Sequence, residues 1–180
     1  MKKGKYLITG RQGSGKTTVG KELKKLGYTV FDIDHTDGLG KLRELKTNKL
    51  FNFSDIIALN PYGIIDWNEY WYEVQVDRLK EILDKDDLVF ITGITSNLKN
   101  HYRLFDEIFA LMVDPKTVRE RLVNHEHASH HLPSEVDRIL ENFEEKQRIM
   151  ITSDQNVTQV DARQSLEHII HAIKAQIMLK

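Results

Sequence analysis

The feature that most constrains this chain is the segment GRQGSGKT at residues 10–17, which matches the phosphate-binding loop G-x-x-x-x-G-K-[ST] at every fixed position. An apolar, β-prone run at residues 6–9 precedes the loop, and leucines and lysines at helical spacing follow it to residue 26. Because the motif requires a strand before it and a helix after it, an ordinary glycine turn is the weaker interpretation. The predicted nucleotide-binding residues are Gly10, Gly13, Ser14, Gly15, Lys16, Thr17 and Thr18.

Each part of this loop has a physical role in binding a nucleoside triphosphate such as ATP. The glycines allow backbone N–H groups to point at the phosphates, and the N-terminus of the following helix adds positive potential. Lys16 is predicted to stabilise charge on the transferred phosphoryl group, and the hydroxyl of Thr17 is predicted to bind Mg²⁺. The motif identifies a phosphate ligand but no particular reaction.

Length and charge limit the possible partners. A chain of 180 residues with 40% hydrophobic residues is expected to form a single domain over residues 1–180. Its net charge of -1 gives no broad positive field for nucleic acid or an anionic membrane, so a small polar molecule is the expected partner. The absence of cysteine, of a signal peptide and of an apolar run long enough to cross a membrane predicts a cytoplasmic protein. A monomer or a homodimer is expected.

The order of predicted elements indicates the fold class. Further β-prone runs lie at residues 28–33, 88–92, 108–113 and, more weakly, 157–160, with helical segments between them. One helix is predicted over residues 133–150 and another near the C-terminus. Strands that alternate with helices predict an α/β fold, a doubly wound five-stranded parallel sheet with helices on both faces.

The segment GRQGSGKTTVGKEL, followed by GYTVFDIDH, resembles the shikimate kinase and nucleoside monophosphate kinase group of P-loop phosphotransferases. The resemblance implies that Asp32 supports the Mg²⁺ shell through water and that Asp34 contacts the acceptor hydroxyl and accepts its proton. Two carboxylates at i and i+2 of a strand end also share one side, which is expected to face Lys16 and the metal. The alternative is that both aspartates are solvated residues that close the strand.

The resemblance also implies functional arginines. An arginine after the fourth strand is expected to open a lid and to lie near the adenine and the phosphates, and Arg121 fits this position better than Arg119. Arg148 lies where shikimate kinases have a substrate-binding arginine, and its planar fork suits an anionic acceptor. For both residues the alternative is a solvated arginine on a helix surface.

Other segments depart from the shikimate kinase pattern. The expected acceptor-binding region, about residues 35–83, includes a predicted helix from residue 67 whose aromatics Trp67, Tyr70 and Trp71 either stack on a flat acceptor or pack onto the sheet. The lid, about residues 122–134, carries four histidines instead of arginines. A solvated, pH-sensitive lid is favoured there over a metal site, since no cysteine assists.

These observations lead to one hypothesis and two alternatives. The leading hypothesis is an ATP-dependent small-molecule kinase that uses Mg²⁺ and transfers the γ-phosphoryl group to a hydroxyl or phosphate, with Lys16, Asp34, Arg121 and Arg148 as catalytic residues and Thr17 and Asp32 at the metal. The first alternative is a nucleoside or nucleoside monophosphate kinase. The second is a nucleotide-binding switch or regulatory ATPase without an acceptor.

Overall fold

A parallel sheet forms the centre of the protein. The computed structural model describes residues 3–59, 65–124, 133–152 and 156–178. The five strands of the sheet are β1 (Gly4–Thr9), β2 (Thr29–Asp32), β6 (Leu88–Thr92), β7 (Glu107–Met112) and β8 (Val157–Asp161). They lie in the order β2-β6-β1-β7-β8, and every neighbouring pair is parallel. This confirms the predicted doubly wound α/β fold.

Helices connect the strands and cover both faces of the sheet. They are α1 (Lys16–Lys25), α2 (Phe53–Leu59), α3 (Val76–Leu83), α4 (Pro115–Asn124), α5 (Pro133–Leu140), α6 (Phe143–Ile151) and α7 (Leu166–Met178), with a 3₁₀ helix at Leu98–Leu104. Among the described residues, no helix is long and apolar enough to span a bilayer.

Alternating side chains of the parallel strands build two hydrophobic cores. Tyr6 and Ile8 of β1 pack into one core together with side chains from α1 and α7, while Leu7 packs into the other together with side chains from α3. Helices pack against both faces of the parallel sheet, so the side chains on both faces of each strand are buried. The sequences of these strands are therefore nearly continuous hydrophobic runs.

A second, smaller sheet lies within the expected acceptor-binding region. Strands β3 (Gly40–Glu44), β4 (Leu50–Phe51) and β5 (Tyr70–Val74) pair antiparallel in the order β4-β3-β5. The predicted helix from residue 67 to 83 is therefore wrong in its first half, and α3 begins only at Val76. Aromatic residues favour the pleated conformation, and pairing with β3 satisfies the backbone of residues 70–74.

The predicted single helix over residues 133–150 is also wrong. It is two helices, because Asn142 between α5 and α6 has a left-handed backbone with φ of 50°. Asn adopts this conformation more readily than most residues, and it ends the regular hydrogen-bond pattern. Most of the predicted lid, residues 125–132 with its four histidines, lies outside the described residues.

Candidate functional site: a phosphate-binding loop and its carboxylates

The loop between β1 and α1 has the backbone of a phosphate cradle. Gly13 and Gly15 have φ values of 78° and 98°, a region that L side chains rarely adopt, and a Cβ on Gly13 would lie 3.0 Å from Val118. Gly15 occupies the N-cap position of α1, and no side chain caps the helix. The first N–H groups of α1 therefore remain available to an anion.

Lys16 folds back over this loop. Its Nζ donates to the carbonyl oxygens of Gly10 at 2.9 Å and of Arg11 at 3.3 Å. Burial lowers the pKa of Lys16 to about 8, although the carboxylates of Asp34 and Asp32 oppose the shift. A lysine held in this way has a charge that is poorly solvated, and phosphate oxygens would stabilise its charged form.

Asp32 is the centre of a hydrogen-bond network at the end of β2. Its Oδ2 accepts a hydrogen bond from Thr92 at 2.9 Å and a longer one from Thr17 at 3.4 Å. Its Oδ1 accepts from the backbone N–H of Asp34 at 2.9 Å and lies 3.1 Å from Nδ1 of His35. Thr17 and Asp32, both predicted metal residues, are thus in direct contact.

Asp34 lies beside this network and borders the same cleft as Lys16. Burial and the charge of Asp32 raise the pKa of Asp34, while Tyr72, Lys16 and His35 act in the opposite direction. A carboxylate with a raised pKa is a better proton acceptor near neutral pH than an ordinary aspartate.

Tyr72 is a site residue that sequence reasoning missed. It lies on β5, and its hydroxyl donates to the carbonyl oxygen of Ile33 at 3.2 Å while interacting with the carboxylate of Asp34. Burial, followed by the charge of Asp34, raises the pKa of Tyr72, which keeps its proton available for donation. A Cβ on Gly40 would overlap this hydroxyl. The only sequence signal was the alternation of Tyr70, Tyr72 and Val74, which is typical of a strand.

The loop and Asp34 open onto a cleft of ≈ 830 Å³. This volume lies in the range of small-molecule sites. Beyond the loop and Asp34, the cleft is lined by α4, by the segment after β8 and by the start of α7. The lining residues there include Thr117, Arg121, Ala162, Gln164 and Leu166.

Arg121 joins the two sides of this cleft. Its guanidinium donates to the carbonyl oxygens of Gly13 and Ser14, each at 3.2 Å, and to that of Ala162 at 2.6 Å. Arg119 instead forms an exposed ion pair of 2.9 Å with Asp137. Of the two arginines that the sequence offered, Arg121 is therefore the one beside the loop.

The remaining predicted residues lie elsewhere. Arg148 is exposed on α6 and is not among the residues that line the cleft, so its role in binding an acceptor stays a prediction. Trp67 and Tyr70 are half-buried and pack against the core of the small sheet. Trp71 lies on the opposite face of that sheet and is 52% exposed.

The residues of the loop fit a nucleoside triphosphate with Mg²⁺. The buried Oγ of Ser14 has no hydrogen-bond partner among the described residues, and α1 has no side-chain cap, so donors remain unused where phosphates would lie. No cluster of three metal-binding side chains occurs in the described ranges.

The fold and this site define a P-loop protein of the α/β class with a kinase-like sheet. Residues 7–149 match the AAA domain family, and the chain belongs to that family. A curated relative, a nucleotide-binding protein of Coprothermobacter proteolyticus, is 29% identical over 112 residues. The match covers 59% of this chain and 37% of the relative, so the chain spans little more than a third of that relative's length.

Solved structures with a similar fold include a gluconokinase, a deoxyadenosine kinase and a shikimate kinase. A gluconokinase from Sinorhizobium meliloti 1021 has a TM-score of 0.59 at 20% identity, covering 98% of this chain and 92% of its own. Deoxyadenosine kinase from M. mycoides has a TM-score of 0.56 at 17% identity, and the match covers 99% of this chain and 100% of the kinase. Shikimate kinase from Acinetobacter baumannii has a TM-score of 0.56 at 15% identity, and the match covers 98% of this chain and 93% of the kinase. At these identities the similarity defines the fold alone.

Proposed function

We propose that this chain is an ATP-dependent phosphotransferase that moves the γ-phosphoryl group to a hydroxyl or phosphate of a small molecule. The observation that carries the proposal is that Asp34 borders the same cleft as Lys16 and Thr17. A phosphate-binding lysine and a candidate base for the acceptor therefore face one space. Phosphoryl transfer needs little covalent chemistry from the protein beyond this placement and the stabilisation of charge.

Each residue of the site has a role in this reaction. Thr17, and Asp32 through water, would hold Mg²⁺, which when bound neutralises charge on the phosphates. Lys16 would follow the transferred phosphoryl group, and Asp34 would orient the acceptor hydroxyl and accept its proton, aided by its raised pKa. Arg121 would hold the loop against the segment after β8. The proposal includes a cytoplasmic location, where such a kinase would find ATP.

The proposal is tested by ADP release from Mg²⁺·ATP in the presence of nucleosides, nucleoside monophosphates, sugars and small hydroxy acids. At least one acceptor is expected to accelerate ADP release by the native protein, and Asp34→Asn is expected to lose most of that acceleration while still binding ATP. Asp37→Asn is the matched control, because Asp37 is an exposed aspartate three residues away that does not line the cleft.

A second candidate is a nucleotide-binding switch without an acceptor. The curated relative, which is named only as a nucleotide-binding protein, favours it. If ATP binds tightly and no acceptor in the panel accelerates ADP release, this second candidate replaces the kinase. A preference for nucleosides or their monophosphates would instead assign the acceptor class within the kinase proposal.

A further inference from the structure

The segment that follows β6 runs along the edge of β5 that faces away from β3. The backbone N–H of Ser96 donates to the carbonyl oxygen of Tyr72 at 2.8 Å. The side chain of Asn97 bonds to both backbone groups of Val74: it accepts from the N–H at 2.9 Å and donates to the carbonyl oxygen at 3.0 Å. Since β5 is the last strand of the small sheet, this segment takes the place of a further strand beside it.

The orientation of the Asn97 amide follows from its partners. Its Oδ1 accepts from the backbone N–H of Val74 and also from Oγ1 of Thr95, at 2.9 Å, so the oxygen faces two donors. Its Nδ2 faces the carbonyl oxygen of Val74. An amide side chain offers an acceptor and a donor in one rigid plane, as a backbone peptide does. Aspartate has the same size but lacks the donor, so this contact requires asparagine.

Val74 ends β5 inside the protein. It is 1% exposed and belongs to the same hydrophobic core as Leu7 and Ile33. Backbone polar groups at such a position are shielded from water, and a buried polar group without a partner is costly. Because Asn97 supplies a partner for both groups of Val74, loss of its amide is expected to let the end of β5 shift.

Tyr72, two residues before Val74, reaches the site through a narrow space. Its hydroxyl donates to the carbonyl oxygen of Ile33 at 3.2 Å, and a Cβ on Gly40 would overlap that hydroxyl. Ile33 directly precedes Asp34, with which the same hydroxyl interacts. Hydrogen bonds weaken steeply when their angles and distances depart from the preferred geometry. A small shift of β5 would therefore separate Tyr72 from Asp34.

We propose that Asn97 is a positioning residue, which holds β5 where the hydroxyl of Tyr72 meets the Ile33–Asp34 segment. Asn97 is not among the residues that line the cleft, so it acts on the site through Tyr72. Its effect on phosphoryl transfer rests on the proposed function, whereas its effect on the placement of Tyr72 does not. The two effects are therefore tested separately.

The first test observes Tyr72 directly and needs no activity. The protein is labelled with tyrosine that carries ¹³C at the ζ carbon, whose chemical shift reports the hydrogen bonding of the hydroxyl. The signal of Tyr72 is identified by its loss in Tyr72→Phe. Asn97→Ala and the isosteric Asn97→Asp should both move this signal, since neither can donate to the carbonyl oxygen of Val74. The signal of Tyr6, which packs in the other core, should stay in place.

Asn100→Ala is the matched control for these variants. Asn100 is an exposed asparagine on the 3₁₀ helix that follows Asn97, and its loss should leave every tyrosine signal unchanged. Binding of AMPPNP, a non-hydrolysable ATP analogue, should be normal in both Asn97 variants, which shows that the phosphate-binding loop is still folded. Loss of AMPPNP binding in both would mean that Asn97 supports the whole fold, and the positioning role would be overturned.

The second test is a double-mutant cycle on turnover, with the acceptor that the panel identifies. Asn97→Ala should lower kcat by about 10-fold and leave the KM for ATP unchanged, as expected for the loss of one hydrogen bond to Asp34. In the Tyr72→Phe background, Asn97→Ala should lower kcat no further, because the hydroxyl that it positions is already absent. Losses that multiply to about 100-fold would show that Asn97 acts independently of Tyr72.

The outcomes separate the two proposals. A Tyr72 signal that stays in place in both Asn97 variants would overturn the positioning role, whatever the activity, and so would losses of kcat that multiply. If the Tyr72 signal moves but no acceptor accelerates ADP release, the kinase proposal is overturned and the placement of Tyr72 by Asn97 is supported.

Discussion

Thr92 donates its hydroxyl hydrogen to Oδ2 of Asp32 at 2.9 Å, across two strands whose ends are in register. Thr92 is fully buried, and Asp32 and Thr92 are partners in the β2–β6 pair. This bond fixes the carboxylate that also contacts Thr17. A buried residue at the end of β6 therefore orients a group at the proposed metal site.

Thr92→Val is expected to keep the packing and to release Asp32 from this bond. Because partners of a metal-binding group set its orientation, the Mg²⁺ concentration for half-maximal turnover should rise by about 10-fold. Thr29→Val is a matched control, since Thr29 also donates to an aspartate, Asp86, but at the opposite end of β2. An unchanged Mg²⁺ dependence in Thr92→Val would show that the bond does not position Asp32.

Arg121→Lys should weaken the link between the phosphate-binding loop and the segment after β8. An ammonium group cannot reproduce a planar fork that reaches the carbonyl oxygens of Gly13, Ser14 and Ala162. We expect the affinity for AMPPNP to fall by about 10-fold, measured by calorimetry. Arg119→Lys changes only an exposed ion pair and should bind AMPPNP normally. Equal affinities in the two variants would contradict the assignment of Arg121.

Tyr72→Phe should lower kcat while leaving the KM for ATP unchanged. The substitution removes the hydroxyl that interacts with Asp34 and donates to Ile33, but it keeps the ring that packs against Phe53. A loss of about 10-fold in kcat is expected for one hydrogen bond to a charged group. Tyr70→Phe on the same strand should be neutral. An equal fall in kcat in both variants would indicate a general effect of β5.

Lys16→Met should make the nucleotide-free protein more stable at neutral pH, although it abolishes ATP binding. The pKa of Lys16 is lowered from 10.5 to about 8 in the folded state, chiefly by burial. Between these two pH values the unfolded chain binds more protons than the folded chain, so the native free energy of unfolding rises with pH there. Below pH 8 the native protein bears the full cost of the buried charge.

The stability of Lys16→Met is measured by chemical denaturation in EDTA without nucleotide. Its advantage over the native protein should be about 2 kcal/mol at pH 7 and should shrink as the pH rises from 8 towards 10.5. Lys21→Met is the control, because Lys21 is exposed on α1. A stability difference that does not vary with pH would mean that the charge of Lys16 is not the cause.

The phosphate-binding loop and the parallel sheet could be predicted because their signals are local. Glycines at fixed positions between a strand and a helix leave the backbone few alternatives, and an apolar run long enough for one strand must be buried on both faces. For the same reason the last helix was predicted, since Ile169, Ile170 and Ile173 fall on one stripe and are buried in the first core. The neighbourhood of Asp32, Asp34 and Lys16 followed from the rule that parallel strands end at one edge.

Only the tertiary structure decided the rest, because those features depend on partners distant in sequence. Residues 70–74 form a strand because β3 offers a pairing edge, and local periodicity cannot report that pairing. Tyr72 reaches Asp34 only through this pairing. The preference for Arg121 over Arg119 came from the resemblance, but the contacts of Arg121 with the loop depend on how α4 packs against it. The sequence therefore predicted a phosphate-binding loop, and the long-range packing determined which side chains surround that loop.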